Sequence, residues 1–305
     1  MQRSFKILIT IIAIVMIFIS CRENEINLVD EVIENQPILK TIFIGQDKFQ
    51  YEEYPDGTKI LEGDIVLPDS FTERLNKIST DPNGSIDDLQ QKREIDFTNS
   101  RVSGVAQFST SLYVGGKVYY YINTNVPNKN RIYDAVNAWE SATILDFIEL
   151  SSPGSSSSSN WIRFQRTTED RCESTIAGFQ TLNTVTLSDK CSVNNVKHEI
   201  GHALGFFHEH QRIDGDEHIE IVWTKNPENK RNNYRVVNTI IYSFTLGDGF
   251  SAFMNGSFDF NSIMIYDTEQ RINGTKQSVI LKKGSDAIVN NSLIEKNGRD
   301  HYKRC

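Results

Sequence analysis

The chain has 305 residues, room for one or two domains and a sizeable core, and a formal net charge of −8. It carries no basic run of the length that nucleic-acid binding needs, so no nucleic-acid partner is expected, and its acidity suits ordinary solubility. Its four cysteines are consistent with a compartment outside the cytoplasm.

The first element in the chain is an apolar run from Ile7 to Ile19, preceded by Arg3 and Lys6. It is shorter than the roughly 18–20 residues of a transmembrane helix and suits a secretory signal over residues 1–20. Phe18-Ile19-Ser20-Cys21 resembles a bacterial lipobox, although Phe18 departs from the usual small aliphatic residue. Cys21 is therefore a lipidation candidate, which implies a cell-envelope lipoprotein with a membrane as partner through its anchor. Plain signal cleavage, giving a secreted protein, and an uncleaved anchor are the alternatives. Each of them predicts export.

Residues 22–101 are polar and charged, with short apolar patches at Ile38–Ile44 and Ile60–Leu67. Asp81 to Arg101 is rich in Asp, Asn, Gly, Ser and Lys and reads as an exposed linker, open to proteolysis. From Leu112 the texture changes. Lys117–Ile122 is a strand candidate by its β-branched and aromatic content. Asn128–Ser141 places Ile132, Ala135, Val136 and Trp139 at i, i+3, i+4 and i+7, the pattern of an amphipathic helix. A serine-rich loop over 151–160, a strand at Trp161–Phe164 and another over Gln180–Leu187 follow. A helix begins near Ser192, with Val193, Val196, Ile200, Ala203 and Leu204 toward the core. Mostly irregular chain after it completes an α+β domain split by a cleft.

That last helix carries the chemistry. His198 and His202 are four apart, so their imidazoles share one face, at the spacing of two zinc ligands about 2.0–2.1 Å from the metal. Glu199 lies beside the first ligand, where a carboxylate can reach a water without binding the metal. Gly205 supplies a left-handed stop that lets His208 return as third ligand. Three protein ligands leave one position open, the arrangement of a catalytic zinc, one ion per chain.

His198-Glu199-x-x-His202-x-x-Gly205-x-x-His208-Glu209-x-x-Arg212, with Ser262-x-Met264-x-Tyr266 downstream, resembles the astacin family of zinc endopeptidases, within the metzincins. The likeness covers roughly Leu112 to Cys305. It implies an α+β two-subdomain protease with a twisted sheet, an active-site helix and a Met-turn, spanning residues 102–305. By that resemblance Glu199 is the general base and Tyr266 a further zinc ligand that swings to the oxyanion. Met264 forms an apolar floor, and Glu209 holds a new N-terminus after activation. His210 and His218 receive no metal role. Leu61-Glu62-Gly63-Asp64-Ile65 resembles the family's aspartate-switch motif, with Asp64 as zinc ligand in the zymogen and residues 22–101 as prosegment.

The resemblance also pairs Cys172 with Cys191, a loop whose closure stabilises by about 3 kcal/mol. The second family disulfide is missing, because the position near Ile144 has no cysteine to meet Cys305, which is left free or intermolecular. Glu173 and Thr175 stand where relatives often have aromatics, so subsite preference does not carry over. The expected function is that of an exported, zymogen-type zinc endopeptidase acting as a monomer on protein or peptide substrates. The alternative is a surface-anchored binding protein, or adhesin, on an inactive protease scaffold. A further expectation is that cleavage between about Asn99 and Gln107 both activates the enzyme and frees it from the membrane.

Overall fold

The computed structural model describes residues 36–44, 47–80, 104–105, 113–155, 161–176, 182–212, 214–226, 231, 233–234, 254–255, 258–266, 269–272 and 275–285. The signal, Cys21, nearly all of the linker with its expected cleavage site, and Cys305 lie outside the described residues.

The two apolar patches of the N-terminal segment form strands. β1 (Ile38–Ile44), β2 (Asp47–Glu53), β3 (Lys59–Leu61) and β4 (Ile65–Val66) make an antiparallel meander. The β2–β3 turn closes through Gly57, whose φ of 84° lies in the left-handed region that favours glycine. Phe49 and Tyr51, two apart on β2, both point inward as strand periodicity requires, and Phe49 meets Phe71 of α1 (Asp69–Thr80). Phe71 and Leu75, at i and i+4, give α1 its buried face. A segment that looks mostly polar in sequence therefore has a small core of its own.

The C-terminal part begins with β5 (Gly104–Val105) and β6 (Lys117–Ile122), and on β6 Val118, Tyr120 and Ile122 are buried in alternation. α2 spans Asn130–Ala142 and buries Ile132, Ala135, Val136 and Trp139. It starts two residues later than the periodicity suggested, because Asn128 adopts a left-handed φ of 48° outside any helix. β7 (Asp146–Glu149), β8 (Trp161–Arg166), β9 (Cys172–Thr175), β10 (Leu182–Leu187) and α3 (Val193–Ala203) follow.

Among the described residues one sheet of nine strands runs β1-β2-β3-β4-β9-β10-β8-β6-β7. The seam between the N-terminal meander and the C-terminal strands is the parallel pairing of β4 with β9, Ile65 opposite Ser174 and Val66 opposite Thr175. Below the sheet, α2 and α3 pack through Trp139, Val196 and Ile200, with Phe164, Phe206 and Met264 in the same core.

The chain after α3 is less irregular than its sequence suggested. α4 (Gly215–His218) leads into β11 (Ile219–Ile221), β12 (Met254–Asn255), β13 (Glu269–Ile272), β14 (Thr275–Ser278) and β15 (Ile280–Lys282). β11 pairs with β15, β12 with β5 and β13 with β14. Strands of two to four residues are too short to leave a periodic signal. Ile219, Tyr234, Phe258, Ile265 and Ile280 gather there into a second core. Among the described residues no helix is long and apolar enough to cross a membrane.

Candidate metal centre

α3 is held at both ends. Ser192 caps its N-terminus, accepting from the Asn195 amide while Asn195 Oδ1 accepts from the Ser192 amide. The helix then ends in a reciprocal turn: Gly205 N donates to the His202 carbonyl at 2.8 Å and Phe206 N to the Gly201 carbonyl at 3.0 Å. Gly205 has a φ of 101°, which a side chain would resist. Two distant aromatics fix the backbone further, Trp139 Nε1 donating to the Lys197 carbonyl at 3.0 Å and Tyr113 Oη to the Ala203 carbonyl at 2.8 Å. The disulfide Cys172–Cys191 ties β9 to the residue before the cap.

The three histidines are turned the same way. His198 Nδ1 donates to the Ile263 carbonyl at 2.7 Å, His202 Nδ1 to the Phe206 carbonyl at 2.7 Å and His208 Nδ1 to Gln211 Oε1 at 2.8 Å. A ring whose Nδ1 carries the proton presents a lone pair at Nε2. The Nε2 atoms of His198 and His202 stand 3.2 Å apart. Asp64 enters between them, its carboxylate 3.3 Å from His198 Nε2, 3.6 Å from His202 Nε2 and 3.1 Å from His208 Nε2. The donor atoms of these four residues all lie within 4.8 Å of one another. Converging lone pairs and a carboxylate in a buried space repel one another unless a cation lies among them. Three imidazole nitrogens and one carboxylate oxygen are a donor set suited to zinc, so the residues present fit one metal ion.

These buried groups also act strongly on one another. Burial alone would push His208 down, yet the charges of Asp64 and Glu62 override it and raise the ring to about 10. His202 falls to about 4, chiefly through burial. Burial also opposes ionisation of Asp64, but the surrounding histidines hold its carboxyl well below the usual range. Glu199 is pushed well up by burial and then by the charge of Asp64. Its Oε2 is buried without a hydrogen-bond partner. Such an orphaned acceptor marks a place for a proton-bearing molecule from outside.

Ser262–Tyr266 is the hub under the site. Besides holding His198 through the Ile263 carbonyl, it accepts from the Glu209 amide at the Met264 carbonyl, 3.0 Å. Met264 is buried against the helix at Gly201, where an added Cβ would lie 2.3 Å from the methionine sulfur. Sequence reasoning passed over Gly201, though a glycine inside a helix signals close approach and was visible. Tyr266 donates its hydroxyl to the Glu62 carbonyl. Burial, then Asp64, then Glu62 raise that hydroxyl well above its ordinary value.

Glu209 is buried, with Oε1 3.3 Å from Arg212 Nη1 and accepting from the Asp259 amide at 3.1 Å. Burial raises its carboxyl to about 7 against the pull of Arg212. His210 meets the Asn233 carbonyl at 2.9 Å, and His218 stacks on Phe258, so neither joins the donor cluster. Glu173 is turned inward on β9, 3.0 Å from Arg171 Nε, and burial raises it to about 7. The outer edge of β9 is covered by β4, and Arg171 is held by Asp56 at 2.8 Å. A cavity of about 490 Å³ still opens beside the centre between Asp64, Glu199, Asn195 and Tyr234.

The chain is 34% identical over 154 residues to "Zinc metalloproteinase nas-34" of Caenorhabditis elegans, covering 49% of this chain and 24% of that protein. It is 36% identical over 106 residues to "Meprin A subunit beta" of Rattus norvegicus, covering 35% of this chain and 14% of that one. "Nematocyst expressed protein 6" of Nematostella vectensis is 28% identical over 206 residues, 65% of this chain and 66% of that protein. The matched part is thus a small fraction, 14% to 24%, of the length of the first two relatives. Among solved structures, the hatching enzyme zinc-protease "High choriolytic enzyme 1" of Oryzias latipes covers 67% of this chain and 94% of its own. Its TM-score is 0.43, at 19% identity. The family model described as Astacin, a peptidase family, matches residues 106–293, more than half of the chain, and the chain belongs to that family.

Proposed function

We propose that the protein is an exported, latent zinc endopeptidase that hydrolyses internal peptide bonds of proteins or peptides. The observation that carries this is the convergence of three Nε2 atoms and one carboxylate beside the unpartnered Oε2 of Glu199. His198, His202 and His208 would hold the metal in the active form. Zinc there supplies Lewis acidity, polarising a peptide carbonyl and drawing the pKa of a water toward about 7. Glu199, raised by its buried surroundings, accepts a proton from the attacking water and passes it to the leaving amine. Tyr266 would be a further ligand at rest and would offer its hydroxyl to the carbonyl oxygen as charge develops. The main chain of β9 offers an extended substrate a place as an added strand.

In the latent form three of these functions, all but that of Glu199, meet a residue of the N-terminal segment, which we take to be the prosegment. Asp64 would be the further ligand beside the three histidines, the Glu62 carbonyl takes the Tyr266 hydroxyl, and β4 takes the edge of β9. Removal of residues 22–101 frees all three together. A new N-terminal amine then reaches buried Glu209, whose carboxylate an ammonium would favour over its present, raised state. With lipid on Cys21, cleavage between about Asn99 and Gln107 would also release the enzyme from the envelope. The protease is taken to act as a monomer. A binding role on an inactive scaffold has no support in this site, where ligand set, base and tyrosine are complete.

Glu199→Gln in the processed protein should retain zinc, measured by elemental analysis, and lose about 100- to 10,000-fold in peptide hydrolysis. Full activity in that variant would overturn the general-base role.

A further inference from the structure

His198 and His202 are oriented by backbone carbonyls, those of Ile263 and Phe206. His208 alone among the three is oriented by a side chain, that of Gln211. The difference matters, because a backbone acceptor stays in place under any substitution and a side chain does not. Gln211 is fully buried, and it stands three residues beyond His208 in a tight turn closed by its own amide donating to the His208 carbonyl at 3.2 Å. That i to i+3 spacing sets the amide against the ring. The amide oxygen is the end that faces the ring, and an amide oxygen only accepts, so the atom it meets on His208 is the protonated Nδ1.

A second acceptor approaches the same proton. Glu62 Oε2 lies 3.3 Å from His208 Nδ1, from a backbone at φ 56°, in the left-handed region that non-glycine residues seldom occupy. That conformation lets Glu62 give its carbonyl to Tyr266 while its carboxylate reaches past Asp64 to the outer side of His208. Backbone strain held at a site is a reason to look for a function there.

We propose that Gln211 is the positioning residue of the third metal ligand, and that Glu62 shares this task only while the prosegment is docked. The amide keeps the proton on Nδ1, so that Nε2 stays free and aimed at the metal. In the latent form the ring has two acceptors, one from each half of the molecule. After maturation it has Gln211 alone. The metal is therefore held more securely before processing than after it, quite apart from the loss of Asp64. This rests on the zinc reading of the centre.

The test measures zinc retention in the full-length chain, as the rate of loss to an excess of a chromogenic chelator. Three variants are compared: Glu62→Asn, which tolerates the left-handed backbone and is too short to reach His208; Gln211→Met, similar in length with no oxygen acceptor; and the pair together. Each single change should speed zinc loss less than about tenfold, because the other acceptor remains, and the double change should speed it by about 10- to 100-fold. Gln211→Glu, which keeps an acceptor, should restore retention beside Glu62→Asn, a rescue that a packing role alone would not give. If Gln211→Met retains zinc like the parent both alone and with Glu62→Asn, the positioning role is wrong. A parent chain that binds no zinc would overturn the metal-centre reading itself. The two failures are thus distinct.

Discussion

Two halves of the molecule meet at one metal position by different means. His198 and His202 reach it through helix geometry, four residues apart on one face, and His208 follows from the turn at Gly205. Asp64 reaches it from 144 residues upstream of His208, carried there by a strand that joins the catalytic sheet. The first half is built into the chain locally and is secured by caps, a disulfide and a packed core. The second is held by a seam of two residue pairs, the Asp56–Arg171 ion pair, a buried carboxylate and the Glu62 contacts. On the proposed reading the difference decides which half leaves: the three histidines, close together along the chain, would stay, and Asp64, which arrives on a separate layer, would go.

The comparison can be broken from the remote side first. Asp64→Ala in the full-length chain removes one partner from a buried charged cluster, a loss of about 3–5 kcal/mol in prosegment docking. Peptidase activity should then appear before any processing, read on a quenched peptide with the chain length checked by mass spectrometry. Unchanged latency would mean that β4 alone suffices to close the cleft. On the local side, Tyr266→Phe in the processed enzyme should lower turnover by about 100- to 1,000-fold with little change in zinc content. An equal loss in both would assign the tyrosine to metal binding alone.

Smaller effects sharpen the contrast between the halves. Replacing Cys172 and Cys191 with serine frees β9 from the start of α3 and should cost about 3 kcal/mol of stability, followed by thermal or urea unfolding. Gly201→Ala places a methyl group against the Met264 sulfur and should cost about 1–3 kcal/mol, seen as a lowered melting temperature with the catalytic constellation otherwise intact. A neutral result at Gly201 would show that Met264 can move aside, and that the floor beneath the histidines is softer than its packing indicates.

Much of the site was legible because its chemistry is local. The spacing of His198, Glu199, His202 and His208 names residue types and positions that only a helix and a glycine turn reconcile. The buried positions of α2 follow the same logic, Ile132 and Trp139 recurring with helical period. The N-terminal meander was hidden for the opposite reason. β1 turns Ile38, Leu39 and Phe43 outward, so its apolar residues do not alternate cleanly, and the burial of Phe49 on Phe71 is a contact between elements far apart along the chain. Gln211 was hidden too, since a glutamine carries no signal until a ring nitrogen stands 2.8 Å from it.

The sequence by itself determined the metal-binding histidines, the carboxylate beside them and the helix that bears them, because i and i+4 positions are neighbours whatever else the chain does. It also marked Leu61–Ile65 as a candidate plug. Only the tertiary structure decided that Asp64 meets all three histidines, that Glu62 clasps both Tyr266 and His208, and that Met264 lies on Gly201. Those contacts join segments far apart in the chain, and their geometry is set by the pairing of β4 with β9 and the packing beneath the sheet.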